Sequence, residues 1–248
     1  MKPKLSTVKL FVQSPACPTQ QGLKIVLSDA AEKTQRGAKS LRLLQSGEYP
    51  NVTESAGSVL EHACYISNDG ANKKGIFYGN SHGMLFPFLD KAVKEGIMEL
   101  PLDEGILNID YHADIAEYTQ HTTSHEASWQ RFGVDNGFWG ANKSFNWRPE
   151  HSNAIPVRTF NPDRYIMSID TELAKQLAPK VLSIDLDFFN DLQQNTPAFN
   201  NYLSIVKGMV RNVKVVMVFS SRAWVQGKQS HEQVKRLVEE VTSAFNEK

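Results

Sequence analysis

The chain has little of what would place it outside the cell or in a membrane. Only two cysteines, Cys17 and Cys64, occur among its 248 residues. That is too few for a disulfide framework or a thiolate zinc site, and two reduced, unconnected thiols in a cytoplasmic protein is the reading that follows. No window approaches the roughly eighteen apolar residues of a membrane span. The start, MKPKLSTVKLFVQSPACP, lacks the continuous apolar stretch of a signal peptide. An excess of either charge is missing too. Lys plus Arg and Asp plus Glu number 27 each, so no bulk field points to nucleic acid or to an anionic membrane. There is no internal repeat and no low-complexity tract.

What is present is ordinary for a globular protein: 41% hydrophobic and 22% charged residues. The length suits one α/β domain or two small ones. We read 1–248 as a single α/β domain, with 1–74 an N-terminal part of unassigned role and 75–248 the core that carries the motifs below. In the first part, VKLFVQ (8–13) and LKIVL (23–27) have the pattern of short strands, and 30–45 that of a polar helix. It ends in the turn-rich run Ser67-Asn68-Asp69-Gly70-Ala71-Asn72. From residue 75 onward GIFYG (75–79), GILNI (105–109), VLSIDL (181–186) and VKVVMVF (213–219) read as buried strands. MLFPFLDKAVKEGIM (84–98) repeats its apolar residues at helical spacing, with Pro87 tolerable only in the first turn. Further helices are expected at 198–211 and 229–246, and 115–160 reads as a long irregular segment. Strands alternating with helices predict a three-layer α-β-α sandwich with a mostly parallel sheet. Ligands of such sheets sit beyond the carboxyl ends of the strands.

Carboxylates stand at those ends. In VLSIDLDFFN the alternation of a strand puts Ile184, Leu186 and Phe188 on one side and Asp185 and Asp187 on the other. Two neighbouring carboxylates leaving water need compensation. Arginine partners supply it, a cation supplies it, and so does solvent if the strand ends there. In ILNIDYHADI, Asp110, His112 and Asp114 share the alternate spacing, and a strand opening near residue 112 lets the three heads converge. Oxygen and imidazole together suit manganese, iron or zinc. In IFYGNSHGM, His82 follows a strand at the head of a helix, where a histidine is equally a cap. All three pieces lie at the carboxyl end of a strand. They add four carboxylates and two neutral imidazoles, a charge that two divalent cations balance and one does not.

These residues resemble the arginase/deacetylase, or ureohydrolase-like, superfamily. Its binuclear members carry Gly-Gly-Asp-His, then Asp-x-His-x-Asp, then Ser-x-Asp-x-Asp. Here these read Gly79-Asn80-Ser81-His82, Asp110-Tyr111-His112-Ala113-Asp114 and Ser183-Ile184-Asp185-Leu186-Asp187. The stretch 75–115 is similar to a branch of small arginase-like proteins, some of which convert arginine residues of peptides to ornithine. The resemblance covers roughly 75–190. It implies two Mn2+ ions: one held by His82, Asp110, Asp114 and Asp185, the other by His112, Asp110, Asp185 and Asp187, with Asp110 and Asp185 bridging. It also implies a proton-transferring histidine shortly after the second motif, at His125, with His121 the runner-up and a surface-loop histidine the bland alternative.

The chain departs from arginases in its pocket. Ala116 stands where they carry an asparagine that reads the free amino acid's carboxylate. VVMVF runs into Ser220-Ser221-Arg222 where they carry a guanidinium-binding glutamate, and the Asp-Pro after the third motif is replaced by Asn190-Asp191. An arginine-containing peptide is therefore the expected substrate, with Glu126 as guanidinium acceptor and Glu117 and Asp135 as other candidates. The aromatics Trp129, Phe132, Phe138, Trp139, Phe145 and Trp147 read as local core rather than as a peptide groove. Two other readings stand beside this one: a deacylase or amidohydrolase with a single zinc, and a metal-dependent peptide-binding module without turnover. Neither an oligomeric state nor a peptide preference follows from the sequence.

Overall fold

The computed structural model describes residues 63–69, 72–79, 81–116, 127–148, 165–190, 192, 196–220 and 231–247. The strands expected at 8–13 and 23–27 and the helix expected at 30–45 lie outside them. Seven strands form one sheet: β1 (Ala63–Asp69), β2 (Asn72–Gly79), β3 (Ile106–Ile109), β4 (Ser144–Trp147), β5 (Met167–Ile169), β6 (Val181–Asp185) and β7 (Val215–Phe219), in the order β1-β2-β7-β6-β3-β4-β5. Every pairing is parallel except the β1–β2 hairpin at one edge. Among the described residues five helices accompany it: α1 (Leu85–Lys94), α2 (Trp129–Asp135), α3 (Thr171–Gln176), α4 (Pro197–Asn212) and α5 (His231–Asn246).

Each central strand buries both faces, which is why β6 and β7 read as near-continuous apolar runs. One face packs Ile76, Leu107, Ile184 and Val218 against Val206 and Val210 of α4 and Leu237 and Val241 of α5. The other packs Phe77, Ile106, Met217 and Phe219 against Leu85, Phe86 and Leu89 of α1 and Trp129 and Phe132 of α2. The result is the expected α-β-α sandwich. Pro87 sits in the first turn of α1, where its missing N–H costs nothing.

Three expectations need correction. The turn-rich run at 67–72 is not all turn, because β1 continues to Asp69 and β2 begins at Asn72, so a tight hairpin reverses the chain. The segment 115–160 is not irregular throughout: it contains α2 and β4. The third-motif strand ends at Asp185, and Leu186–Phe189 form a 3-10 turn. The aromatics are core, as read: Trp129, Phe132, Phe138 and Trp139 line the α1/α2 side, and Trp147 the other. Among the described residues no helix is long and apolar enough to cross a membrane.

Candidate metal centre

The three motifs meet on the α1/α2 face, at the carboxyl ends of β2, β3 and β6. His82 enters from a 3-10 turn after β2, capped by Ser81, whose hydroxyl accepts from Gly83 N at 3.1 Å. Its ring lies between Trp129 and Phe219, with centroids 5.2 and 4.4 Å away. Nε2 is engaged by Ser183 Oγ at 2.9 Å, which leaves Nδ1 aimed at the carboxylates: 3.0 Å from Asp114 Oδ2, 3.3 Å from Asp185 Oδ2 and 3.6 Å from Asp110 Oδ2. His112 makes the second focus. Its Nδ1 is 2.9 Å from Asp187 Oδ2 and 3.7 Å from Asp110 Oδ1. His82 is sealed at 2% side-chain exposure and His112 is open at 36%, so the second focus faces the mouth of the site.

Local hydrogen bonds explain how each carboxylate is delivered. Asp110 leaves β3 with its N–H bonded to Trp147 O at 3.1 Å, and its Oδ1 accepts from His112 N at 2.7 Å. Asp114 adopts φ 50°, rare for any residue but glycine. It is held there by Gln130 N to its carbonyl at 3.2 Å and by Trp129 Nε1 to Oδ2 at 2.6 Å. Asp185 Oδ1 accepts from Asp187 N at 3.0 Å, which closes the 3-10 turn and swings Asp187 into the site. The alternation of a continuous strand is thus not what brings Asp187 in, although Ile184, Leu186 and Phe188 do share the opposite core.

The atoms fall into two groups with metal-ligand spacing: His82, Asp110 and Asp185, and Asp110, His112 and Asp187. Asp110 belongs to both and contributes a different oxygen toward each histidine. Asp185 falls in the first group, whereas the resemblance has it bridging as well. Bonds of about 2.0–2.2 Å put two N or O donors on one cation roughly 3.0–3.6 Å apart. The distances around His82 fall in that range and those around His112, 2.9 and 3.7 Å, lie just at its two ends. Asp187 Oδ2 is buried and accepts no hydrogen bond although His112 Nδ1 is so near. Two donor atoms facing a common third atom are placed in this way. The donor set therefore fits a pair of divalent cations.

The electrostatics point the same way. Burial opposes the charged form of His82, but Asp114 and Asp185 outweigh it and hold its pKa well above the ordinary value. His112, likewise opposed by burial, is raised to about 10 by Asp110 and Asp187. Burial and the Asp110 charge lift Asp114 to about 7. Burial, with Asp185 and Asp110 beside it, puts Asp187 well above the carboxylate range. Asp110, despite burial, is brought down to about 2 by the two histidines. Among the described residues no lysine or arginine stands at ion-pair distance from Asp110, Asp114 or Asp187, and the groups that face these carboxylates are the two imidazoles.

His125, its runner-up His121, Glu126 and Glu117 lie outside the described residues. Asp135 is the last residue of α2, at the opposite end from Trp129 and 3.6 Å from Arg131 Nε. Ala116 N donates to Ala127 O at 2.8 Å, and its methyl side chain offers no donor. Sequence reasoning missed Asn108, Trp129, Gln130 and Asn146 as parts of the site. Asn108 inside the otherwise apolar ILNI was the one signal that could have found them.

No protein-family model and no curated protein sequence matches the chain. Solved structures do resemble it. A hypothetical agmatinase from Burkholderia thailandensis is 15% identical with a TM-score of 0.48, covering 68% of this chain and 58% of that one. Agmatine ureohydrolase of Thermoplasma volcanium is 13% identical with a TM-score of 0.44, covering 68% and 61%. Proclavaminate amidino hydrolase from Streptomyces clavuligerus is 14% identical with a TM-score of 0.46, covering 68% and 63%. The chain thus spans about three-fifths of the length of each. By name these neighbours are ureohydrolases and amidino hydrolases. At such identities and TM-scores they lend nothing to the choice of substrate.

Proposed function

We propose that the chain is a binuclear manganese hydrolase of amidino C–N bonds, acting on arginine residues within peptides to give ornithine and urea. The observation that carries this reading is the pair of ligand groups sharing Asp110. Two divalent cations held by His82, Asp110, Asp114, Asp185, His112 and Asp187 would supply Lewis acidity that lets water lose a proton near neutral pH. Four carboxylates with two imidazoles, all near-neutral in sum only with two such ions, favour manganese over a purely oxygen-seeking cation.

The chain's own side chains orient and exclude. Ser183 fixes the His82 ring so that Nδ1 faces inward, and Trp129 and Phe219 keep bulk water from it. In the reaction water adds to the trigonal guanidinium carbon, the C–N bond to the side chain breaks, and the departing amine takes a proton. His125 is the residue we assign to that proton and Glu126 to the guanidinium. Ala116, with nothing to offer an α-carboxylate, favours an arginine inside a peptide over the free amino acid. A single-zinc deacylase would leave the other buried ligand group without countercharge. The test is incubation of the manganese-loaded protein with arginine-containing peptides. A mass loss of about 42 Da with urea release is expected, and free L-arginine should be a poor substrate. Rapid urea release from free arginine, with peptides untouched, would make it a conventional arginase. No turnover of either by fully loaded protein would leave a metal-dependent peptide-binding module.

A further inference from the structure

Directly beneath the carboxylates the sheet carries a second polar row. Asn146, Asn108 and Ser183 are register partners on β4, β3 and β6, on the α1/α2 face, and none is more than 1% exposed. Ser183 serves His82. The two asparagines form a separate device. Asn108 Nδ2 donates to Asp110 Oδ2 at 2.9 Å and to Asn146 Oδ1 at 3.0 Å. Gln130 Nε2 reaches the same Asn146 oxygen at 3.4 Å and Ala113 O at 3.0 Å, while Gln130 Oε1 accepts from Ser144 Oγ at 2.6 Å.

This chain of amides ties α2, β3 and β4 to one oxygen of Asp110, yet it does not satisfy itself. Asn108 Oδ1 and Asn146 Nδ2 are buried without a partner. A buried unpaired amide atom is destabilising, and a half-satisfied polar network is worse for stability than apolar packing. Stability therefore does not explain why three amides occupy the core here. What they accomplish is aim. Both hydrogens of Asn108 Nδ2 are committed, so its amide cannot turn, and Asp110 Oδ2 is fixed from below. Oδ1 is fixed by His112 N. Each oxygen thus keeps one neutral donor and one free direction, pointing toward a different histidine.

We propose that Asn108, braced by Asn146 and Gln130, is a positioning residue that holds the Asp110 carboxylate astride the two ligand groups and so sets the affinity of both cations. The proposal rests on the binuclear reading above. Partners that orient a ligand change metal affinity by about 10–100-fold when removed. Because the oriented ligand is shared, the loss falls on both ions.

The test is Mn2+ binding to the full chain, by calorimetric titration with elemental analysis, for the wild type and Asn108→Leu, which keeps the side-chain shape and removes the donor. Circular dichroism and melting of the metal-free proteins report folding separately. The expected result is a folded variant in which both ions bind about 10–100-fold more weakly. If Asn108→Leu does not fold, Asn146→Leu, which frees the Asn108 amide, is read by the same criterion. Unchanged affinity for both ions, or weakening of only one, overturns the positioning role while leaving the binuclear reading intact. Wild-type protein that binds one ion or none overturns the binuclear reading, and the positioning role with it.

Discussion

Replacing Trp129 by phenylalanine keeps a ring against His82 and removes one N–H. That N–H donates at 2.6 Å to Asp114 Oδ2, the oxygen that lies 3.0 Å from His82 Nδ1. A hydrogen bond to a buried carboxylate is worth about 1.5–3 kcal/mol. Without it the Asp114 backbone, at φ 50°, is still pinned by Gln130 N, but the carboxylate is free to turn. Loss of an orienting partner of this kind weakens a bound ion about 10–100-fold, or roughly 1.4–2.7 kcal/mol. The smaller ring also leaves a void against Trp139 and lowers the stability of the metal-free protein. Asp114 falls in neither three-residue ligand group, but its Oδ2 stands beside His82 Nδ1 and not beside His112, so the ion at the mouth should keep its affinity. Calorimetric titration of Trp129→Phe with Mn2+ should resolve one weakened and one unchanged site. Equal weakening of both, or of neither, refutes the assignment of Asp114 to the sealed position.

Asp110→Asn should abolish tight binding of both ions by elemental analysis, since the shared ligand loses its charge. A protein retaining two ions would refute the shared role. Gly133→Ala should destabilise by several kcal/mol or prevent folding, because an added Cβ lies 2.0 Å from the buried Trp139 ring. A wild-type melting temperature would refute that packing. Tyr78, buried and bonded to Thr242 Oγ1 at 2.6 Å, has its phenol raised by burial from 10 to about 12. The folded state therefore holds this proton longer than the unfolded chain, and stability falls as pH rises between those values, by about 2–3 kcal/mol in full. Urea midpoints at pH 8 and pH 11 should converge more for Tyr78→Phe than for wild type, and equal alkaline losses would refute the burial argument.

The parts of the fold that were legible are those where one physical rule dominates. VLSID and VVMVF are buried on both faces and so read as unbroken apolar runs, and the motif residues stand where those runs stop. The helix at Leu85–Lys94 announced itself by spacing and by a proline in its first turn. β4 was not legible. Its sequence SFNW places Ser144 and Asn146 in the core, satisfied largely by Gln130 and Asn108, against the expectation that inward residues are apolar. β5 has three residues, two of them exposed, and α2 has seven, too short for periodicity to register. Asp187 was placed in the site for the wrong reason: a side-chain bond from Asp185, rather than a pleat, turns it inward. Asp114's φ and its indole partner depend on a helix fifteen residues further on, which no local pattern encodes.

The strand order has a consequence for how the molecule can assemble. β2 and β3 are not neighbours, because β7 and β6, made later in the chain, lie between them. His82 follows β2 and Asp110 follows β3, so a nascent chain that ends before Val181 holds both residues with the middle of its sheet missing. Closure demands contacts between positions 101 residues apart, as for His82 and Ser183, and 76 apart, as for Tyr111 and Asp187. Such long-range pairing is slow, and the loop entropy must be met before the contacts repay it. Until β6 and β7 are made, the edges of β2 and β3 that those strands cover lack their partners. A ribosome pause or a chaperone acting before residue 219 is made, while β7 is still missing, would thus affect yield more than one acting after it.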